Sequence, residues 1–110
     1  MRSTERPLAA LLGRGAHYSG ELSFEGRVRV DGNFTGRIFT EDILEIGEGG
    51  TVDGEIDAAT LVVAGTAIGR IHARERVIVE ATGMVRGQVD AASIEVHPGA
   101  RFDATLKVGG

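Results

Sequence analysis

An aliphatic residue returns at near-constant intervals along the chain, at Leu22, Ile38, Ile56, Ile71, Val89 and Leu106, and a Gly stands two positions before five of the six. The intervals of 16, 18, 15, 18 and 17 residues are too short for a helical-hairpin repeat and too long for a heptad. Each unit is therefore one turn of a solenoid. Laid over one another, the units align further apolar positions. Two residues before the Gly stand Phe34, Val52, Ala67 and Val85. Five or six residues after the opening aliphatic comes a spaced pair: Val28 and Val30, Leu44 and Ile46, Leu61 and Val63, Val77 and Val79, Ile94 and Val96. Alternation at the strand period of two predicts short β-strands with one buried face.

A second Gly, at positions 32, 50, 65, 83 and 99, is expected to turn a corner by adopting a positive φ. About three short strands and three bends per unit predict an all-β parallel β-helix of triangular section with about six coils of 15–18 residues. Its domain is expected over residues 17–108, after a flexible segment at 1–16 and before a tail at 109–110.

Stacked coils bring residues of equal phase to about 4.8 Å, as in any parallel sheet. Between Gly and aliphatic the column reads Glu21, Arg37, Glu55, Arg70, Gln88, an alternation of acid and base that favours one register. Within the spaced pairs the outward column reads Arg29, Glu45, Val62, Ile78, Glu95. Val62 and Ile78 there form a small apolar patch, either plain β-propensity or a lateral contact with a partner or with the N-terminal segment.

Composition narrows the function classes. With 17 Gly, two Pro, no Trp and 5% aromatics in 110 residues, the interior is built from Val, Ile, Leu and Ala, which suits a narrow shaft. The absence of Cys removes disulfides and thiolate metal sites and fits a reducing compartment. No apolar run of about twenty residues is present, nor a secretory h-region, so a cytoplasmic location is expected. A net charge of −4 argues against nucleic acid as a partner.

Residues 1 to 19 nevertheless carry Arg2, Arg6 and Arg14 against Glu5, around the apolar run from Pro7 to Leu12. A short amphipathic anchor on the inner face of the cytoplasmic membrane would use Leu8, Leu11 and Leu12; the alternatives are a disordered leader or a strap over the first coil.

Catalytic patterns are missing. There is no Gly-x-Ser-x-Gly elbow, no phosphate-binding loop ending in Lys-Ser or Lys-Thr, and no His-Glu-x-x-His. His17, His72 and His97 share no phase, so neither a metal site nor any other cofactor is expected. The column Asp57, His72, Asp90 sets an imidazole between two carboxylates, as either a charge ladder or a weak cation site. Thr51 and Thr66 stack between Asn33, Met84 and Ala100, too few threonines for an ice-binding face.

The ends remain. A stack of parallel coils exposes unpaired backbone groups and apolar interior at both termini unless capped. After Gly99 the chain runs from Ala100 to Val108 with no polar cap, so Phe102, Leu106 and Val108 are expected to meet a second copy there, with Leu22 and Phe24 doing so at the other end.

The succession Gly20-Glu21-Leu22, Val28-Arg29-Val30-Asp31-Gly32, Gly36-Arg37-Ile38, Leu44-Glu45-Ile46-Gly47, Val52-Asp53-Gly54-Glu55-Ile56, Val62-Val63-Ala64-Gly65 and Gly87-Gln88-Val89 resembles the bactofilins, over about residues 16 to 108. The resemblance implies a right-handed β-helix that assembles end to end without nucleotide into nonpolar filaments. It also implies a scaffold for cell-shape, cell-wall or polar-organisation proteins. The family's closing Gly-Ala-x-Phe-x-Gly is matched by Gly99, Ala100 and Phe102, with Ala104 in place of the last Gly, which makes Phe102 the implied polymer contact. The competing class is a left-handed hexapeptide-type enzyme, an acyltransferase or a carbonic-anhydrase-like trimer. That class needs stricter six-residue periodicity and a placed catalytic His.

Overall fold

The structure is a computed structural model that describes residues 8–109. Among the described residues there are nine strands and no helix: β1 (Leu8–Leu12), β2 (His17–Phe24), β3 (Arg27–Val30), β4 (Asn33–Thr40), β5 (Ile43–Ile46), β6 (Thr51–Val63), β7 (Thr66–Val79), β8 (Met84–Val96) and β9 (Arg101–Val108). Every pairing is parallel, and each strand pairs with its counterpart one turn on, which makes the chain a β-solenoid.

The register reproduces the columns of the sequence. Leu22, Ile38, Ile56, Ile71, Val89 and Leu106 stack in one line, and Val28, Leu44, Leu61, Val77 and Ile94 in another. Side chains in the middle of these lines are fully enclosed: Ile38, Leu44, Leu61 and Val77 have no accessible surface. Burying each large aliphatic contributes about 1.5–3 kcal/mol, and the narrow shaft makes every rung supply its own share.

Each rung bends three times. One bend lies at the Gly of the Gly-x-aliphatic step, where Gly20, Gly36, Gly54, Gly69 and Gly87 all have positive φ and stack directly over one another. Another falls at the irregular pairing beyond Ala58, Ala73 and their equivalents, and the third in the turn before β4, β6, β7, β8 and β9.

The second Gly column departs from its expected geometry. Of positions 32, 50, 65, 83 and 99, only Gly99 has a positive φ. The others are glycine because space is missing. At Gly65 a β-carbon would run into the carbonyl oxygens of Gly47 and Gly50. Tight stacking of turn on turn, not handedness of the backbone, selects the residue there.

Leu8–Leu12 is a strand paired to β3, with Leu12 aligned on Val30 and Leu11 on Arg29, where a helical anchor was one expectation. Its neighbour in the stack offers a free sheet edge, which satisfies the backbone of a five-residue segment that is too short to hold itself as a helix. Among the described residues the sheet runs from Leu8 to Val108.

Candidate functional site

The outer faces are held by charge. Arg37 reaches both neighbours in its column, with Nη1 3.7 Å from Glu21 and Nε 2.8 Å from Glu55, and Arg70 Nη1 lies 3.7 Å from Glu55 on the other side. These side chains are largely exposed, so the ladder fixes register more than it adds stability. Arg29 Nε donates to Asp31 Oδ2 at 3.1 Å, and this hydrogen bond raises the Arg29 pKa above its ordinary value. The pair folds across Gly47, where any β-carbon would displace it.

His72 does stack between Asp57 and Asp90, but the triad does not converge. His72 Nδ1 lies 3.8 Å from Asp90, whereas Asp57 accepts a hydrogen bond from Arg74. Arg74 also donates to the Thr40 carbonyl at 2.9 Å and covers the Phe39 ring at 5.4 Å. Among the described residues no three His, Asp or Glu side chains are grouped as metal ligands. The Thr51–Thr66 column continues to Arg101 rather than to Ala100.

Val62 and Ile78 are register partners, as their phase implied, and both are half-buried. The three N-terminal leucines do not share one apolar face. Leu12 is 7% exposed and joins the core, while Leu11 is 55% exposed on the opposite side of the strand. The Leu8 side chain lies outside the described residues.

At the ends the two tips differ. In the last rung Phe102 is half-buried beneath Val85, and Leu106 and Val108 are exposed by 41% and 50%. Val96, on another side of the same rung, is 45% exposed, and Ile94 is half-buried beside it. Sequence marks Ile94 and Val96 as end residues only by their being the last of the spaced pairs. Leu22 and Phe24 lie in the first rung, half-buried, together with Ala10 and Tyr18. Gly13 N donates to the Tyr18 hydroxyl at 3.2 Å, which holds that ring beside the N-terminal tip.

Ala104 stacks on Gly87 without the positive φ of the five glycines before it. An L-residue with such a φ would pay a steric cost.

Among the described residues, a helix-free shaft with charge-matched flanks and exposed apolar side chains on its last rung defines a β-solenoid. The chain matches the Bactofilin family, polymer-forming cytoskeletal proteins, over residues 10–107. It belongs to that family, which is structural rather than enzymatic. The structure is similar to that of Thermus thermophilus bactofilin, described as a cryo-EM reconstruction of double helical filaments, with a TM-score of 0.75 and 25% identity over 91% of this chain and 99% of that one. Comparison with curated proteins finds no match. No helix among the described residues is long and apolar enough to cross a membrane.

Proposed function

We propose that this protein stacks end to end into filaments without polarity, in the absence of nucleotide, and that the filaments gather cell-wall, cell-shape or polar-organisation proteins. The bare last rung carries this reading. Val96, Leu106 and Val108 expose apolar surface beside a row of unpaired β9 backbone groups, and a second copy supplies both hydrocarbon and hydrogen-bond partners. Closing such a tip gains free energy from burial alone, so no hydrolysis step is required to drive it. Leu11, outward on β1, is the residue that supports contact of the N-terminal end with the inner face of the cytoplasmic membrane.

The test is sedimentation and negative-stain microscopy of the purified chain without nucleotide, beside Phe102→Arg. The parent should pellet as filaments. The variant should remain a folded monomer or dimer, because a guanidinium at a dry junction is left unpaired. Pelleting of Phe102→Arg at the parent's concentration would show that the last rung is not a polymer contact.

A further inference from the structure

We infer that two shafts lie side by side with their axes antiparallel, joined about a twofold axis at Ile68 on the wall formed by residues 17–19, 33–35, 51–53, 66–68, 84–86 and 101–103. The inference is independent of how the tips meet. Two outward columns run along this wall. One reads Ser19, Thr35, Asp53, Ile68, Arg86, Asp103, and the other His17, Asn33, Thr51, Thr66, Met84, Arg101.

Two observations set this wall apart. Its charges are unmatched within the chain: among the described residues Asp53, Arg86, Arg101 and Asp103 form no ion pair, although Asp103 lies next to Arg86 in register. On the neighbouring wall Glu21, Arg37, Glu55 and Arg70 close into a ladder. Hydrocarbon is also turned outward at the level of Ile68. The inward column of the wall reads Tyr18, Phe34, Val52, Ala67, Val85, Phe102, so it is smallest where Ile68 stands outside. A half-buried aliphatic with an exposed acid one rung toward the N-terminus and an exposed base one rung toward the C-terminus complements an inverted copy of itself.

An axis lying along the strands at this rung reverses the order of rungs and sets each column against itself. Ile68 then meets Ile68 of the second copy, and Asp53 faces Arg86 twice over. Met84 covers Thr51, the Thr35 hydroxyl faces Asp103, and the Asn33 carboxamide faces Arg101, each also twice. No charge faces its own sign. With the axis half a rung nearer the N-terminal tip, Asp53 lands on Ile68; half a rung the other way, Arg86 lands on Ile68 and Asp53 on Asp103. An axis along the shaft pairs Arg101 with Asp103 but leaves Asp53 opposite Thr51 and Arg86 opposite Met84. The wall is narrow, so one pair of shafts binds weakly, and repetition along filaments multiplies the contact.

The chain has no Cys, so an introduced thiol reports on the contact. Facing sheets stand about 10 Å apart, a gap that a short bis-maleimide bridges and a disulfide does not. Ile68→Cys should give covalent dimers. In that background Arg86→Asp should lower the dimer yield roughly fivefold at low ionic strength, and less in high salt. Adding Asp53→Arg should restore the yield to within about twofold. Arg101→Asp should leave it nearly unchanged. Absence of Ile68→Cys dimers, or dimers from Ile78→Cys in their place, would overturn the wall. An Arg86→Asp loss that Asp53→Arg does not recover, or a loss with Arg101→Asp and none with Arg86→Asp, would overturn the axis. If filaments form while Ile68→Cys never couples, the end-to-end reading stands and this contact fails. If Ile68→Cys couples where no filament forms, this contact stands and the end-to-end reading fails.

Discussion

Gly54 lies directly over Gly36, so close that a β-carbon on Gly54 would penetrate the Gly36 carbonyl oxygen, and its φ of +140° is one that L-residues rarely adopt. Gly20 has a similar φ of +122° but heads the column, with nothing within 4 Å of the added carbon. The two positions separate conformational strain from steric exclusion. Gly20→Ala should cost about 1–2 kcal/mol, and Gly54→Ala clearly more, enough to broaden or abolish the unfolding transition. Thermal unfolding followed by far-UV circular dichroism measures both. Equal losses would show that φ alone sets the requirement.

Ile56 and Leu106 occupy the same column, the first buried and the second bare. Ile56→Ala should lower stability by about 2–5 kcal/mol through lost burial and the cavity left behind. Leu106→Ala should cost less than about 1 kcal/mol of fold stability while weakening assembly. Denaturant titration of each, paired with sedimentation, distinguishes shaft from junction.

The column through Glu21, Arg37 and Glu55 predicts an asymmetry between removing a charge and reversing it. Arg37→Ala should stay within about 0.5 kcal/mol of the parent, since these are solvent-exposed pairs. Arg37→Glu places three acids in succession and should cost about 1 kcal/mol at low ionic strength, a loss that added salt recovers. A loss insensitive to salt would mean that packing of the arginine stem, not charge, is what the position provides.

Leu11 and Leu12 are adjacent in sequence and opposed in environment. Leu12→Ser should destabilise the first rung by about 2–3 kcal/mol, whereas Leu11→Ser should leave unfolding unchanged. Co-sedimentation with vesicles containing anionic lipid should fall for Leu11→Ser if the N-terminal end meets a membrane. Undiminished binding would remove Leu11 from that contact.

The repeat was legible because each rung must bury its own hydrocarbon, so the same positions recur at Ile38, Ile56, Ile71 and Val89 without help from distant sequence. Charge columns were legible for the same reason: parallel register converts sequence period into spatial contact, and Arg37 meets Glu21 and Glu55 as its phase required. The reason for a glycine was less visible. Sequence does not distinguish a residue that needs positive φ, such as Gly54, from one crowded by the turn beneath, such as Gly65, because both appear only as a missing side chain. The N-terminal run was ambiguous because Ala and Leu favour helix locally, and only the free edge of β3 decides for strand. At the tip, sequence does not mark Val96 as exposed, because an inward position and an uncovered one carry the same aliphatic residue.

Leu12 and Val96 sit in equivalent places on the first and last turns, yet one is hidden and the other open to water. A fibre made by joining like tips would then contain two sorts of seam in alternation, of unequal strength. Diluting it should shed molecules in twos, split at the poorer seam, and regrowth should begin from those couples rather than from single chains.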